Sequence, residues 1–188
     1  MTNDTNNSGR GSNERIGDYK QPTEKIEEEA MKRFEGKTVF ITGAGGGMGK
    51  EAAFRFAAEG ANVTVMDVNG GNIEALVEEI EQQGGKALNA AADFTRQKDV
   101  ERAVKLCVDT FGSIDVLINF AGITQNKPFE KITPEEWDRM LEINLKGTFL
   151  TSQAAYNYMM EDCGGVIINI SSAAIHGGGG HIGTAHYT

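Results

Sequence analysis

Between Lys37 and Lys50 the sequence KTVFITGAGGGMGK sets Gly43, Gly45, Gly46, Gly47 and Gly49 between a short apolar run and the amphipathic stretch EAAFRFAAE. Glycines let a bound group approach the backbone closely, and the first turn of a helix offers unpaired N–H groups and a partial positive charge. A strand, this turn and a helix over Glu51 to Glu59 would therefore form a site for an anion such as a pyrophosphate. A mononucleotide P-loop needs glycine five residues before Gly-Lys and Ser or Thr after it, but Ala44 and Glu51 stand there. A dinucleotide loop passes its test of context. A second strand, Asn62 to Met66, follows and ends at Asp67, 18 residues after Gly49. That is close to the roughly 20 expected of a carboxylate that holds a ribose 2′-hydroxyl.

The run Thr42 to Gly49 resembles the TGxxxGxG loop of the short-chain dehydrogenase/reductases. Four further landmarks of that family occur in order: Asp93 in ADFT, Asn119-Phe120-Ala121-Gly122 for the usual NNAG, Asn144 in INLKG and Ser171-Ser172 in NISS. Tyr187 then stands where the family's YxxxK motif begins, and the resemblance runs from about Lys37 to the last residue. It implies an α/β fold, a Rossmann-type doubly wound parallel sheet in three α/β/α layers. It also implies a nicotinamide dinucleotide held by Thr42, Gly43, Gly45, Gly47, Met48 and Gly49 of the loop and by Asp67. Asp93 and Phe94, then Asn119, Ala121 and Gly122, and finally Tyr187 complete that implied set.

For the chemistry, the resemblance implies Tyr187 as the base that takes the hydroxyl proton, Ser172 as the donor that orients the substrate oxygen, and Asn144 as the holder of a water in a proton relay. Of the two serines Ser172 is preferred, because strand alternation leaves one of the pair facing the site and the family usually uses the second. A phenol of pKa about 10 is a poor base at neutral pH. The family supplies a lysine four residues on, one helical turn away, whereas this sequence stops at Thr188. The chain is accordingly expected to be the first three quarters of a family member, with its sheet incomplete at the C-terminal edge and without activity by itself.

The implied reaction is hydride transfer between NAD and a secondary alcohol or ketone. A non-catalytic dinucleotide-binding fragment or redox-sensing module is the alternative. NAD is expected over NADP, since Asp67 would repel a 2′-phosphate and neither Gly46 nor Val68 carries a positive charge to counter it. The full-length form is expected to be a homo-oligomer, a dimer or tetramer. His176, His181 and His186 are read as lining the substrate mouth or facing solvent, because a glycine-rich loop does not fix metal-ligand geometry.

Composition narrows the partners. With 188 residues, 39% hydrophobic, the chain is long enough for one domain with a core. A net charge of −9 argues against nucleic acid or an anionic membrane surface as partner. Cys107 and Cys163 lack CxxC spacing and are expected to be reduced thiols, and no apolar run reaches the roughly 18 residues of a span. A cytoplasmic location is the expectation.

The positioning elements follow from the pattern. Residues 1–22 are polar and expected to be disordered, 23–36 to form a short helical lead-in capped by Thr23, and 37–188 to form the dinucleotide-binding domain. Helices are expected over Gly71 to Gln83 and over Gln97 to Phe111, the second capped by Thr95 and closed by Gly112. A capping box, Thr133-Pro134-Glu135-Glu136, opens a long helix to about Met160, with Trp137 expected in the core. Strands are expected over Lys86 to Ala92, Ile114 to Ile118 and Val166 to Ile170. Strands alternating with helices imply a parallel sheet, and every landmark residue then falls at a strand's carboxyl end.

Overall fold

The computed structural model describes residues 32–161, 164–172 and 174. The polar tail and nearly all of the helical lead-in lie outside the described residues, as do Cys163, the three histidines and Tyr187; residues 33–36 form a turn.

Five parallel strands form one sheet in the order β3-β2-β1-β4-β5. They are β1 (Thr38–Thr42), β2 (Asn62–Met66), β3 (Lys86–Asn89), β4 (Val116–Asn119) and β5 (Val166–Asn169). All five residues of β1 are buried, as a central strand covered on both faces requires. The chain leaves β1 toward β2 and β3, then returns to place β4 on its other side. The order reverses between β1 and β4, and a cleft opens there beyond the strand ends. The register sets Thr42 beside both Met66 and Asn119, which brings the first landmark residues level with one another.

Strand alternation divides the core. Phe40 and Met66 point to one face, under α3 (Gln97–Phe111) and α5 (Thr148–Glu161), which contribute Val100, Val104, Leu150 and Ala155. Val39, Ile41, Val63 and Val65 point to the other, under α1 (Gly47–Ala58) and α2 (Gly70–Gln82), which contribute Ala53, Ile73, Leu76 and Ile80. The result is the expected three-layer doubly wound sheet. Cys107 is buried in the first half, and burial pushes its thiol up to about 11, so it stays protonated and inert. Among the described residues no helix is long and apolar enough to cross a membrane.

Several local expectations change. Helix α1 begins at Gly47 rather than Glu51, so the glycines themselves form its first turn. Thr95 does not cap α3: its hydroxyl donates to Asp93 Oδ1 at 2.7 Å, and Arg96 occupies the cap position without a side-chain bond. Gly112 closes that helix as expected, with φ 90°. Strand β3 ends at Asn89, although Ala90 and Ala92 still donate to the carbonyls of Val65 and Asp67. The capping box at Thr133 is present in both directions, with proline in the first turn. The helix it opens is not uniform: α4 (Pro134–Leu141) passes into a π-helical segment, Glu142–Gly147, before α5. Trp137 is 42% exposed, on an outward face continued by Leu141, Leu145 and Phe149. Apolar periodicity marks a face but not what covers it.

Thr38 is fully buried in β1, and its hydroxyl has no hydrogen-bond partner among the described residues. A buried hydroxyl without a partner costs about 1–3 kcal/mol. Thr38→Val keeps the shape and removes that group, so the melting temperature should rise by roughly 2–4 °C for each 1 kcal/mol gained. Differential scanning calorimetry checks this, and an unchanged or lowered melting temperature refutes it.

Candidate functional site

The glycine turn is shaped by close approaches that only hydrogen permits. A Cβ on Gly49 would lie 2.3 Å from the Gly43 carbonyl oxygen, and one on Gly43, whose φ is 68°, would lie 2.6 Å from the Ala121 amide nitrogen. The hydroxyl of Thr42 accepts from that same Ala121 amide at 3.2 Å, joining the ends of β1 and β4. Gly46 differs, since a Cβ there would meet nothing within 4 Å: it faces the cleft.

Helix α1 starts without help from its own sequence. No side chain caps it and its first turn contains no acid, whereas Asn69 caps α2 and Thr133 caps α4. Its leading N–H groups are thus open to water or to an anion, as they are on α3, but here the glycines leave room for a ligand to reach them. The glycines leave these N–H groups open to a pyrophosphate, with Met48 as the one side chain beyond Cα in the Gly46–Gly49 turn.

Asp67 stands beside it. Its Oδ2 accepts from the Gly45 amide at 3.0 Å and its Oδ1 from the Asn69 amide at 3.0 Å. A Cβ on Gly45 would come within 2.8 Å of that carboxylate. Asn72, in the first turn of α2, donates to the Gly45 carbonyl at 3.1 Å and fixes the turn from the other side. Beyond lies a cavity of about 530 Å³. Of the expected cofactor residues, Gly43, Met48, Gly49, Asp67, Asp93, Phe94, Ala121 and Gly122 line it, while Thr42, Gly45 and Gly47 shape the turn behind. Gly46, Thr95 and Phe120, which lie within the quoted motifs, line it as well, as do Val68, Ile123, Arg139, Glu142 and Ile143, which no motif marks for it. Phe94 reaches its place because Gly147 lacks a Cβ, which would fall 2.2 Å from the ring.

Asn119 is at the site but its side chain is turned away. Only 4% exposed, it donates to Asn169 Oδ1 at 2.9 Å and Ser152 Oγ at 3.2 Å, and accepts from Thr151 Oγ1 at 2.7 Å. Both amide donors and the acceptor are satisfied, so it stitches β4, β5 and α5 together.

A second cavity, of about 580 Å³, adjoins the first across Met48 and residues 120–123, and Asn144, Thr148, Ile170, Ser171 and Ser172 line it. Both serines reach it, but Ser172 is half-buried and Ser171 exposed. Ser172 Oγ accepts from the Ala174 amide at 3.2 Å. Asn144 occupies the π-helical segment, and its amide group is spent on Ile123: Oδ1 accepts from the Ile123 amide at 2.8 Å and Nδ2 donates to its carbonyl at 2.9 Å. The structure thus brings Asn144 and Ser172 to one cavity.

The loop after β4 is fastened a second time, to the start of α4. Glu136 accepts from Lys127 Nζ at 2.6 Å, from the Thr133 amide at 2.9 Å and from Gln125 Nε2 at 2.9 Å. The Lys127 ammonium first, then the Thr133 amide and the Gln125 side chain, hold its carboxyl down from 4.5 to about 2. The folded state therefore resists protonation longer than the unfolded chain, and the stabilisation from this clasp is complete above pH 4.5 and lost as pH falls to about 2. The melting-temperature gap between the wild type and Glu136→Gln should be widest at neutral pH and close over that window. A gap that stays constant down to about pH 2 would contradict the assignment.

Comparisons with known proteins agree with this arrangement. A family model described as short chain dehydrogenase matches residues 37–188. The chain is 40% identical over 146 residues to the BbsD subunit of a hydroxy(phenyl)methylsuccinyl-CoA dehydrogenase of Thauera aromatica, covering 78% of this chain and 59% of that one. It is 39% identical to the 3-oxoacyl-(acyl-carrier-protein) reductase FabG of Thermotoga maritima, covering 74% and 57%. Among solved structures, a 7α-hydroxysteroid dehydrogenase complexed with NADH and 7-oxo glycochenodeoxycholic acid superposes with a TM-score of 0.73 at 36% identity, covering 78% and 57%. The chain thus spans less than three fifths of the length of these three proteins. With five parallel strands, a glycine turn on α1 and a family match over residues 37–188, the chain belongs to the short chain dehydrogenases.

Proposed function

We propose that residues 37–188 form the dinucleotide-binding domain of an oxidoreductase that moves a hydride between NAD and a secondary alcohol or ketone. The observation that carries this reading is the uncapped first turn of α1 beside a carboxylate already oriented by two backbone amides. Each oxygen of Asp67 has a further lone pair free, so the carboxylate can accept from both ribose hydroxyls. A 2′-phosphate at that place would set like charges together at hydrogen-bond distance, which favours NAD over NADP.

Bound NAD would supply the hydride acceptor; the remaining work falls to the chain. Because Ser172 Oγ accepts from the Ala174 amide, its own proton is free to donate to a substrate oxygen in the second cavity. Asn144 has its side chain committed to Ile123, so a water held by this residue binds its main-chain carbonyl, which also accepts from Thr148 Oγ1 at 3.1 Å. Tyr187, which lies outside the described residues, takes the role of base on the resemblance of the sequence alone. Cytoplasmic location and a homo-oligomer that covers Leu141, Leu145 and Phe149 complete the proposal.

Two measurements test it. NADH should bind more tightly than NADPH by fluorescence titration, and Asp67→Ala should narrow the gap; tighter NADPH binding sinks the cofactor assignment. In the full-length protein Ser172→Ala should lower kcat by about 10²-fold or more, with NADH affinity unchanged, and Ser171→Ala much less. Greater sensitivity at Ser171 would transfer the donor role to it.

A further inference from the structure

We propose that Arg139 stacks its guanidinium on the adenine ring of the bound dinucleotide, closing the outer side of the base site. The inference rests on the reading of the 530 Å³ cavity as a dinucleotide site. Arg139 is the one cation that lines this cavity among the described residues, whose other charged groups are Asp67, Asp93 and Glu142. It is exposed, in the last turn of α4, and joins no ion pair or side-chain hydrogen bond among the described residues. Glu142, one turn on, pairs with Lys146 at 3.2 Å.

The layout of the cavity says which part of the ligand Arg139 meets. The glycine turn and the first turn of α1 take the pyrophosphate, and Asp67 takes the adjoining ribose. A base attached to that ribose must continue past Val68, between the Asp93–Thr95 turn and the end of α4, where Arg139 and Ile143 form the wall. Nothing anionic of the ligand remains to be neutralised there: the phosphates are committed to α1, and Asp67 disfavours a 2′-phosphate. What remains is a flat neutral π-face. A guanidinium is planar and weakly hydrated, and it packs on such a face without needing a counter-charge.

The test uses the full-length protein, with NADH fluorescence as the readout and AMP, adenosine and NMN as competitors. Arg139→Ala should weaken NADH, AMP and adenosine alike, by roughly three- to fivefold, and leave NMN unchanged. Arg139→Lys, which keeps the charge but not the plane, should recover little of the loss. A loss seen with AMP but absent with adenosine would mean a phosphate contact and overturn the stacking. Equal affinities in all variants would make Arg139 a bystander and overturn it as well. If the wild type binds no NADH, the dinucleotide reading itself fails and this inference with it. Circular dichroism melts that match the wild type establish that the variants are folded, as expected for an exposed residue.

Discussion

The contact between the Asp67 carboxylate and the Gly45 amide fixes the glycine-turn wall of the cleft. It joins the carboxyl end of β2 to the turn that precedes α1, and it forms only because Gly45 has no Cβ to strike the carboxylate. The second oxygen of Asp67 holds the Asn69 amide, Asn69 in turn caps α2, and Asn72 returns to the Gly45 carbonyl. Three elements are therefore positioned by one closed set of hydrogen bonds. A charge-assisted bond to a carboxylate is about twice as strong as a neutral one, which suits a group that must stay oriented before any ligand arrives.

The opposite wall depends on fastening a loop that has little regular structure of its own. Asn144 pairs with both backbone groups of Ile123, as a neighbouring strand would, and Glu136 gathers Lys127, Gln125 and Thr133 a few residues further on. Behind them the buried amide of Asn119 ties β4 to β5 and α5. Each of these groups is fully partnered, which is the condition for a buried polar network to rigidify a site rather than weaken it. The two cavities share residues 120–123, so one anchored loop shapes both.

The sequence made most of this architecture legible where a local rule was strong. Val63, Val65 and Met66 read as a buried strand because parallel strands are covered on both faces, and Thr133 with Glu136 read as a helix start because the two reciprocal bonds need that spacing. It was less informative where tertiary partners decide. Thr95 could cap α3 or serve Asp93, and both uses suit a threonine before a helix. Trp137 belongs to an apolar face, but the pattern cannot say whether that face meets the sheet. Asn119 carries a motif that points to the cofactor, while the pleat of β4 sends its side chain the other way. Arg139 of α4 and Ile143 of the π-helical segment come to the cleft through tertiary packing, which no local spacing encodes.

The π-helical segment at Glu142–Gly147 also acts as a phase adjuster between two rigid rods. Such a segment takes up one residue more than a regular helical stretch of the same length. Every residue advances a helix by about 100°, so the extra one sets the angle at which α5 meets the sheet relative to α4. With it, Met140 faces inward on one side and Thr151, Ala155 and Met159 face inward on the other. A chain shortened by a single residue here could be helical throughout and still place every α5 side chain out of phase. Thr151 would swing away from Asn119, and an apolar flank would turn to water. The irregularity is thus a setting of rotation, and the buried hydroxyl of Thr151 is the mark against which that rotation is read.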